Sequence, residues 1–236
     1  MSIGNYSKEN IMKEKIDNLR QRVKQLSDYK EIFDILYQIQ NIIQETVGEN
    51  HLEYAKGLVD LASVYAHKGD YSEAEVFQKQ ALKIQLNLLG ENHREYAINL
   101  HDLAWMYYSS GDYDSAERIY LKAYEIYQTI FKEDSENFAG ILVNFTLLYM
   151  KKNDYFTAEK YASGLVEIRR RYVGENHLEY ANALFNLATI YRLTGRYASA
   201  ERLLYKTLEI YREKVGENHQ YYLNTVTSLS KCNQRG

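Results

Sequence analysis

The sequence predicts an all-α protein: a solenoid of about five antiparallel helix pairs followed by one closing helix. Three observations carry that expectation. One motif returns in phase, as GENHLEYA at Gly48, GENHREYA at Gly90, GENHLEYA at Gly174 and GENHQYYL at Gly216, spaced by 42 residues or by its double. Each period holds two apolar patterns of helical spacing separated by a short turn. Proline is absent from all 236 residues, where average usage of about 5% would supply on the order of a dozen, so nothing interrupts long helices. One helix pair cannot bury its apolar face alone. Stacked neighbours share a continuous core, and residues 1–236 therefore read as a single repeat domain.

From the N-terminus, residues 1–47 are expected to form a degenerate first repeat, because the phase carried backwards aligns Asp28 and Tyr29 with Asp70 and Tyr71. Repeats follow at 48–89, 90–131, 132–173 and 174–215. The third has diverged: from Lys132 it reads KEDSENFA, without the glycine and histidine but with Phe138 and Ala139 in step. The fourth shows the pattern in full, with Ala181, Leu184, Leu187, Ala188 and Tyr191 at intervals of three and four, a turn at Gly195, then Ala200, Leu203, Leu204 and Leu208. The turn residue is Gly69, Gly111, Asn153 or Gly195, types that accept the left-handed conformation ending a helix, while Ser27 departs from this. Asp28, Asp70, Asp112 and Asp154 stand where a carboxylate caps the second helix, with Glu31 and Glu73 completing capping boxes and Arg196 the exception. The first helices are expected to open with boxes of their own, pairing Asn50 with Glu53, Asn92 with Glu95 and Asn176 with Glu179. Residues 216–236 leave a lone capping helix that closes the array, with Tyr222, Val226 and Leu229 inward and Gln220, Thr225, Thr227 and Lys231 toward water.

Composition narrows the function. A formal charge of -3 with mixed signs offers no basic field for nucleic acid and no polybasic segment for a membrane surface, so neither partner is expected. Cys232 is the single cysteine, which rules out an internal disulfide framework and fits a reducing, cytoplasmic setting. The start, MSIGNYSKEN, lacks the basic and apolar regions of a secretion signal, and no stretch approaches the roughly 18 apolar residues that would span a bilayer. The recurring His51, His93, His177 and His219 invite a metal site, yet each belongs to a different repeat. Packed helices stand roughly 10 Å apart, whereas zinc takes its nitrogens at about 2 Å. A structural role in the first turn is expected instead. The tyrosine columns, such as Tyr65, Tyr107, Tyr149 and Tyr191, read as packing positions. No phosphate loop, nucleophile elbow or paired catalytic constellation is visible, so neither enzymatic activity, a cofactor nor a metal is expected.

The order Leu, small residue, Tyr, Gly, Tyr, Ala appears as Leu61-Ala62-Tyr65-Gly69-Tyr71-Ala74, as Leu103-Ala104-Tyr107-Gly111-Tyr113-Ala116 and as Leu187-Ala188-Tyr191-Gly195-Tyr197-Ala200. The third repeat keeps Tyr149, Tyr155 and Ala158 but carries Phe145, Thr146 and Asn153. Over about residues 48–231 the chain thus resembles tetratricopeptide (TPR) repeats of the 42-residue kind found in kinesin light chains and bacterial relatives. Where that family often has proline after the loop histidine, Leu52, Arg94, Leu178 and Gln220 stand here. The resemblance implies a right-handed superhelix whose first helices line a concave surface that holds another protein or a peptide. It implies the repeat type and not the kinesin role, for which a long coiled coil would be needed.

In kinesin light chains an asparagine ladder on that surface holds a peptide backbone. The matching rungs are Asn18, Asp60, Asp102, Asn144 and Asn186. An Asn amide both donates and accepts, whereas an ionised Asp only accepts. Beside the ladder lie Val59, His101, Trp105, Tyr108, Val143, Leu147, Met150, Phe185 and Thr189, with Trp105 and Tyr108 the best single anchors. Lys56, Lys151 and Arg192 phase onto the same surface. Two readings stand side by side. These side chains meet a partner, or the polar ones bond neighbouring helices, the apolar ones fill the space between helices and the charges face water. The function expected is a non-enzymatic adaptor for a peptide or protein segment. The alternatives are a self-assembling, homo-oligomeric scaffold or a ligand-sensing module acting on a partner enzyme.

Overall fold

The computed structural model describes residues 3–130 and 136–234. Its helices are α1 (Ile3–Val23), α2 (Tyr29–Val47), α3 (Leu52–Lys68), α4 (Tyr71–Leu89), α5 (Arg94–Ser110), α6 (Tyr113–Ile130), α7 (Glu136–Lys151), α8 (Tyr155–Tyr172), α9 (Leu178–Leu193), α10 (Tyr197–Lys214) and α11 (Gln220–Asn233), with no strand among the described residues. The altered loop that begins at Lys132 lies outside the described residues. The chain forms two compact units, one running to Ile126 and the other starting at Tyr127.

The turn inside each pair is built the same way. Gly69, Gly111 and Gly195 sit at φ of 92°, 90° and 79°, and Asn153 takes the same place at φ 60°. The next backbone N–H then folds back onto the signature tyrosine: Asp70 onto the Tyr65 carbonyl at 2.9 Å, Asp112 onto Tyr107 at 2.9 Å, Asp154 onto Tyr149 at 2.9 Å and Arg196 onto Tyr191 at 2.8 Å. These bonds satisfy carbonyls that a helix end leaves open. The side chains that follow differ. Asp28, Asp112 and Asp154 accept from the N–H groups of Glu31, Ser115 and Thr157 at 3.0, 3.0 and 3.1 Å. Asp70 makes no such bond and pairs with Lys68 at 2.5 Å instead, so the box expected with Glu73 does not form. Arg196 replaces a cap with a bridge: its guanidinium meets both oxygens of Glu159 at 2.8 and 2.5 Å and lies 4.2 Å from the Tyr191 ring centre.

These carboxylates give the fold a defined acid response. Backbone and side-chain bonds from Ser115 hold Asp112 below its ordinary pKa, bonds from Thr157 do so for Asp154, and Arg196 does so for Glu159. A depressed folded-state pKa contributes stability that is present above the unfolded value, about 4 for these groups, and lost as pH falls through the folded value. Melting temperature is therefore expected to fall as pH drops below about 4, and Asp154→Asn is expected to flatten that fall in a pH series of thermal melts. Asp60 works the other way, since burial raises its pKa against the opposing pull of Arg20.

The loop histidines form the second recurring device. His51, His93, His177 and His219 are extended, and each accepts at Nδ1 from the backbone N–H two residues on, that of Glu53, Glu95, Glu179 or Tyr221, at 3.1 to 3.2 Å. Histidine, and not the preceding asparagine, is the N-cap. This corrects the expected Asn50, Asn92 and Asn176 boxes. The helices consequently begin at Leu52, Arg94, Leu178 and Gln220, the position at which proline is favoured because its missing N–H costs nothing there. His177→Ala is expected to cost about 1 kcal/mol of stability, with His177→Asp restoring most of it. Equal denaturation midpoints for all three proteins would contradict the assignment.

In the first unit, Met12, Ile16 and Leu19 of α1 pack on Ile32, Ile35, Ile39 and Ile43 of α2, and Leu61 of α3 joins the same core. Residues 3–47 thus supply a packed helix pair of their own. In α3, a Cβ at Gly57 would stand 2.0 Å from Oε1 of the buried Gln40, whose Nε2 donates to the Tyr54 carbonyl at 3.2 Å. In the second unit, Tyr180, Ala181 and Leu184 of α9 meet Ile210 and Tyr211 of α10. The signature alanines Ala74, Ala116, Ala158 and Ala200 are all fully buried, where a small side chain allows close approach of helices. Thr146 is buried in place of Ala because its hydroxyl donates to the Leu142 carbonyl at 2.7 Å.

The closing helix is rotated from its expected setting. Thr225 and Cys232 are the buried residues of α11, while Val226 is exposed together with Tyr221 and Leu223. Tyr222 and Leu229 are half-buried, as is consistent with facing inward. Thr225 can turn inward because its hydroxyl donates to the Tyr221 carbonyl at 2.7 Å, which removes the cost of burying it. The inward stripe therefore runs Tyr222, Thr225, Leu229, Cys232.

Candidate binding clefts

The candidate residues fall into local groups within each unit. In the first unit, α3 and α5 flank a cleft of about 420 Å³ floored by α4. Val59, Ser63, Ala66 and His67 form one wall, Asp102, Trp105, Met106 and Ser109 the other, and Tyr71 and Gln78 come from α4. The opening has a simple origin. Ser63 and Ala66 stand one period before Trp105 and Tyr108, so small side chains on α3 face large ones on α5 and leave space.

Trp105 is 48% exposed and stacks on Tyr108, with ring centres 5.5 Å apart and planes 22° apart. Tyr108 in turn leans on Tyr113 at 5.7 Å. The two rings hold each other in place, so the indole offers a preset flat surface. Asp102 lines the same cleft with a side chain 43% exposed. His101 stands beside it, Nδ1 at 3.6 Å from Oδ1, and sets its ring edge-on to buried Tyr120 at 5.6 Å. His67 approaches the Ser63 carbonyl through Nδ1 at 2.7 Å. A carbonyl can only accept, so Nδ1 carries the proton.

Beneath these groups runs a buried amide chain that the sequence reading missed. Gln78 donates to the Asn99 carbonyl at 2.9 Å, and Asn99 donates to Gln85 Oε1 at 2.7 Å. Gln78 is 0% exposed, and its Oε1 has no partner among the described residues. The phase held the signal: Gln78 occupies the position of Leu36 and Leu204, and Asn99 that of Gly57, Ile141 and Ala183. A polar side chain in an otherwise apolar column marks either an internal network or a site.

Other rungs are placed differently. Asp60 is held within the fold, for Arg20 of α1 reaches its Oδ2 at 3.0 Å and extends toward Glu53 at 3.6 Å. Asp60 thus bonds across to α1. Asn18 is exposed on α1. In the second unit, Asn144, Leu147 and Met150 are half-buried on α7. Phe185 and Asn186 line a cleft of about 240 Å³ between α9 and α11, with Asn182, Tyr211, Tyr221 and Asn224. Tyr211 donates to Asn182 at 2.6 Å, and burial pushes its phenol well above the ordinary range, keeping it a donor. Arg192 is half-buried toward the end of α9, its Nε without an acceptor among the described residues. Among the described residues no group of three or more His, Cys, Asp or Glu side chains converges as metal ligands, and no helix is long and apolar enough to cross a membrane.

The tetratricopeptide repeat family model matches residues 24–87, 53–129 and 138–213. The chain belongs to the tetratricopeptide repeat family. Among solved structures, a Podosopora anserina kinesin-light-chain-type protein with nearly identical TPR-like repeats, and a variant of that protein, each match 86% of this chain at 19% identity. The variant gives a TM-score of 0.73 over 95% of its own chain, and the other structure 0.72 over 96%. BtubC (BKLC) of P. vanneervenii matches 92% of this chain and 94% of its own, at 18% identity and a TM-score of 0.65. No curated protein sequence matches the chain. The fold is thus the all-α, kinesin-light-chain-like TPR array of helix pairs that the repeat phase predicts. TPR folds of this type are typically non-enzymatic modules that mediate protein–protein interaction, and this chain carries such a scaffold.

Proposed function

We propose that this TPR protein is a cytoplasmic, non-enzymatic adaptor that holds a peptide or protein segment against its first helices, in the concave groove that TPR arrays use. The observation that carries the reading is the open α3–α5 cleft with Trp105 half-exposed on its wall. An exposed aromatic beside a vacant volume is how interface anchors are built. Asp102 in that cleft and the amide-lined Phe185–Asn186 cleft of the other unit add polar groups able to orient a backbone. Affinity capture from source lysate, comparing wild type with a Trp105→Ala, Asn144→Ala double variant, tests the reading. Loss of one specific protein at unchanged helicity supports it, and capture that survives both changes overturns it.

A second reading has its own observation. Tyr221, Leu223 and Val226 leave apolar surface exposed on α11, and repeat arrays can pair through such stacking faces. Sedimentation decides between the two. A strict monomer at high concentration removes the scaffold reading.

A further inference from the structure

The α3–α5 cleft is chemically one-sided. Asp102 lines it with a carboxylate, and Gln78 lines it with a fully buried side chain whose amide oxygen meets no donor among the described residues. Ser109 adds a buried hydroxyl oxygen likewise without a partner. Among the described residues no lysine or arginine lines the cleft. Trp105 adds an exposed indole face held flat by Tyr108. A buried acceptor left open has a high cost, and a ligand donor is the group that removes it.

We propose that the α3–α5 cleft is the seat of an arginine side chain carried by the bound segment. A guanidinium is planar, carries five donors and no acceptor, and is only weakly hydrated. It can stack on Trp105 while sharing its N–H groups between Asp102 and the deeper amide oxygen of Gln78. A carboxylate ligand would meet acceptors only. A lysine would meet the charge but not the flat indole and the spread of acceptors. An apolar side chain would leave Gln78 unpaired.

The assignment rests on the adaptor reading, and the two fail separately. Partner capture that depends on Trp105, with no response to arginine, overturns the guanidinium seat alone. Capture that survives the Trp105→Ala, Asn144→Ala double variant overturns the adaptor reading. The test uses the full chain and a blocked pentapeptide with one arginine among glycines, followed by the fluorescence of Trp105, the single tryptophan, and by calorimetry. A saturable change is expected with the arginine peptide. The citrulline counterpart, of nearly the same shape without the charge, is expected to bind about tenfold more weakly or worse. Asp102→Asn, a change at a half-exposed side chain, is expected to weaken arginine binding about tenfold at unchanged melting temperature. No saturation with the arginine peptide, citrulline or lysine binding equal to arginine, or wild-type affinity in Asp102→Asn would each overturn the proposal.

Discussion

Phe145→Ala is expected to cost about 3–5 kcal/mol of stability, a large fraction of what a domain of this kind has to lose. Phe145 is 0% exposed and stands where the neighbouring repeats have Leu61, Leu103 and Leu187. The larger side chain is matched by its surroundings. Its ring stacks on Tyr161 of α8 at 4.6 Å with planes 14° apart, and lies 6.2 Å from Tyr149, which itself stacks on Tyr161 at 5.7 Å. Truncation removes one ring of a three-ring cluster centred on Tyr161 and leaves a cavity beside it. Phe145→Leu, which restores the usual residue of the repeat, is expected to lose less than the alanine variant but to lose stability nonetheless. Urea unfolding of the three proteins checks this. A loss below about 1 kcal/mol for the alanine variant would show that the third repeat does not depend on its aromatic stack.

Trp105→Ala is expected to weaken the partner by roughly 30-fold or more, the scale of about 2 kcal/mol at which interface anchors operate, while changing stability little. The two effects separate because Trp105 lies outside the buried set: its neighbours Leu103, Ala104 and Met106 are buried and it is half-exposed. Its removal takes away ligand-facing area and leaves Tyr108 without its stacked neighbour, but opens no cavity in the core. A conservative Trp105→Phe keeps an aromatic face and is expected to fall between the two. Circular dichroism and thermal melts of the variants confirm that the comparison concerns binding. Full affinity in Trp105→Ala would assign the indole to packing.

Much of the fold was legible because the repeat presents each local signal several times. The left-handed turn was readable at Asn153 as well as at the glycines, since the phase placed Asn153 in their column. The helix starts were readable only to within one residue. Asn50, Asn92 and Asn176 are favoured cap types by propensity, and nothing in composition reveals that the next residue would be extended with Nδ1 aimed back at the chain. The rotation of α11 was missed because Thr225 counts as polar in a pattern of apolar spacing, yet it satisfies its hydroxyl within the helix. At the candidate site, the phase placed Trp105 and Asp102 on one helix face but carried no depth. That Asp60 is taken by Arg20, some 40 residues away, is a contact that phase alone does not show. That Ser63 and Ala66 open the cleft could have been read by comparing them with Trp105 and Tyr108 in register.

Trp105 also makes the central claim directly measurable, because no other tryptophan of the chain contributes to the emission. The partner recovered by capture, purified and free of tryptophan or excited selectively against a labelled reference, is titrated into the full chain while Trp105 emission and calorimetric heat are recorded together. A partner seated in the α3–α5 cleft covers a half-exposed indole. A saturable shift or quench with the same Kd as the heat is therefore expected. Binding seen by calorimetry with no change in Trp105 emission would contradict the cleft as the partner's seat.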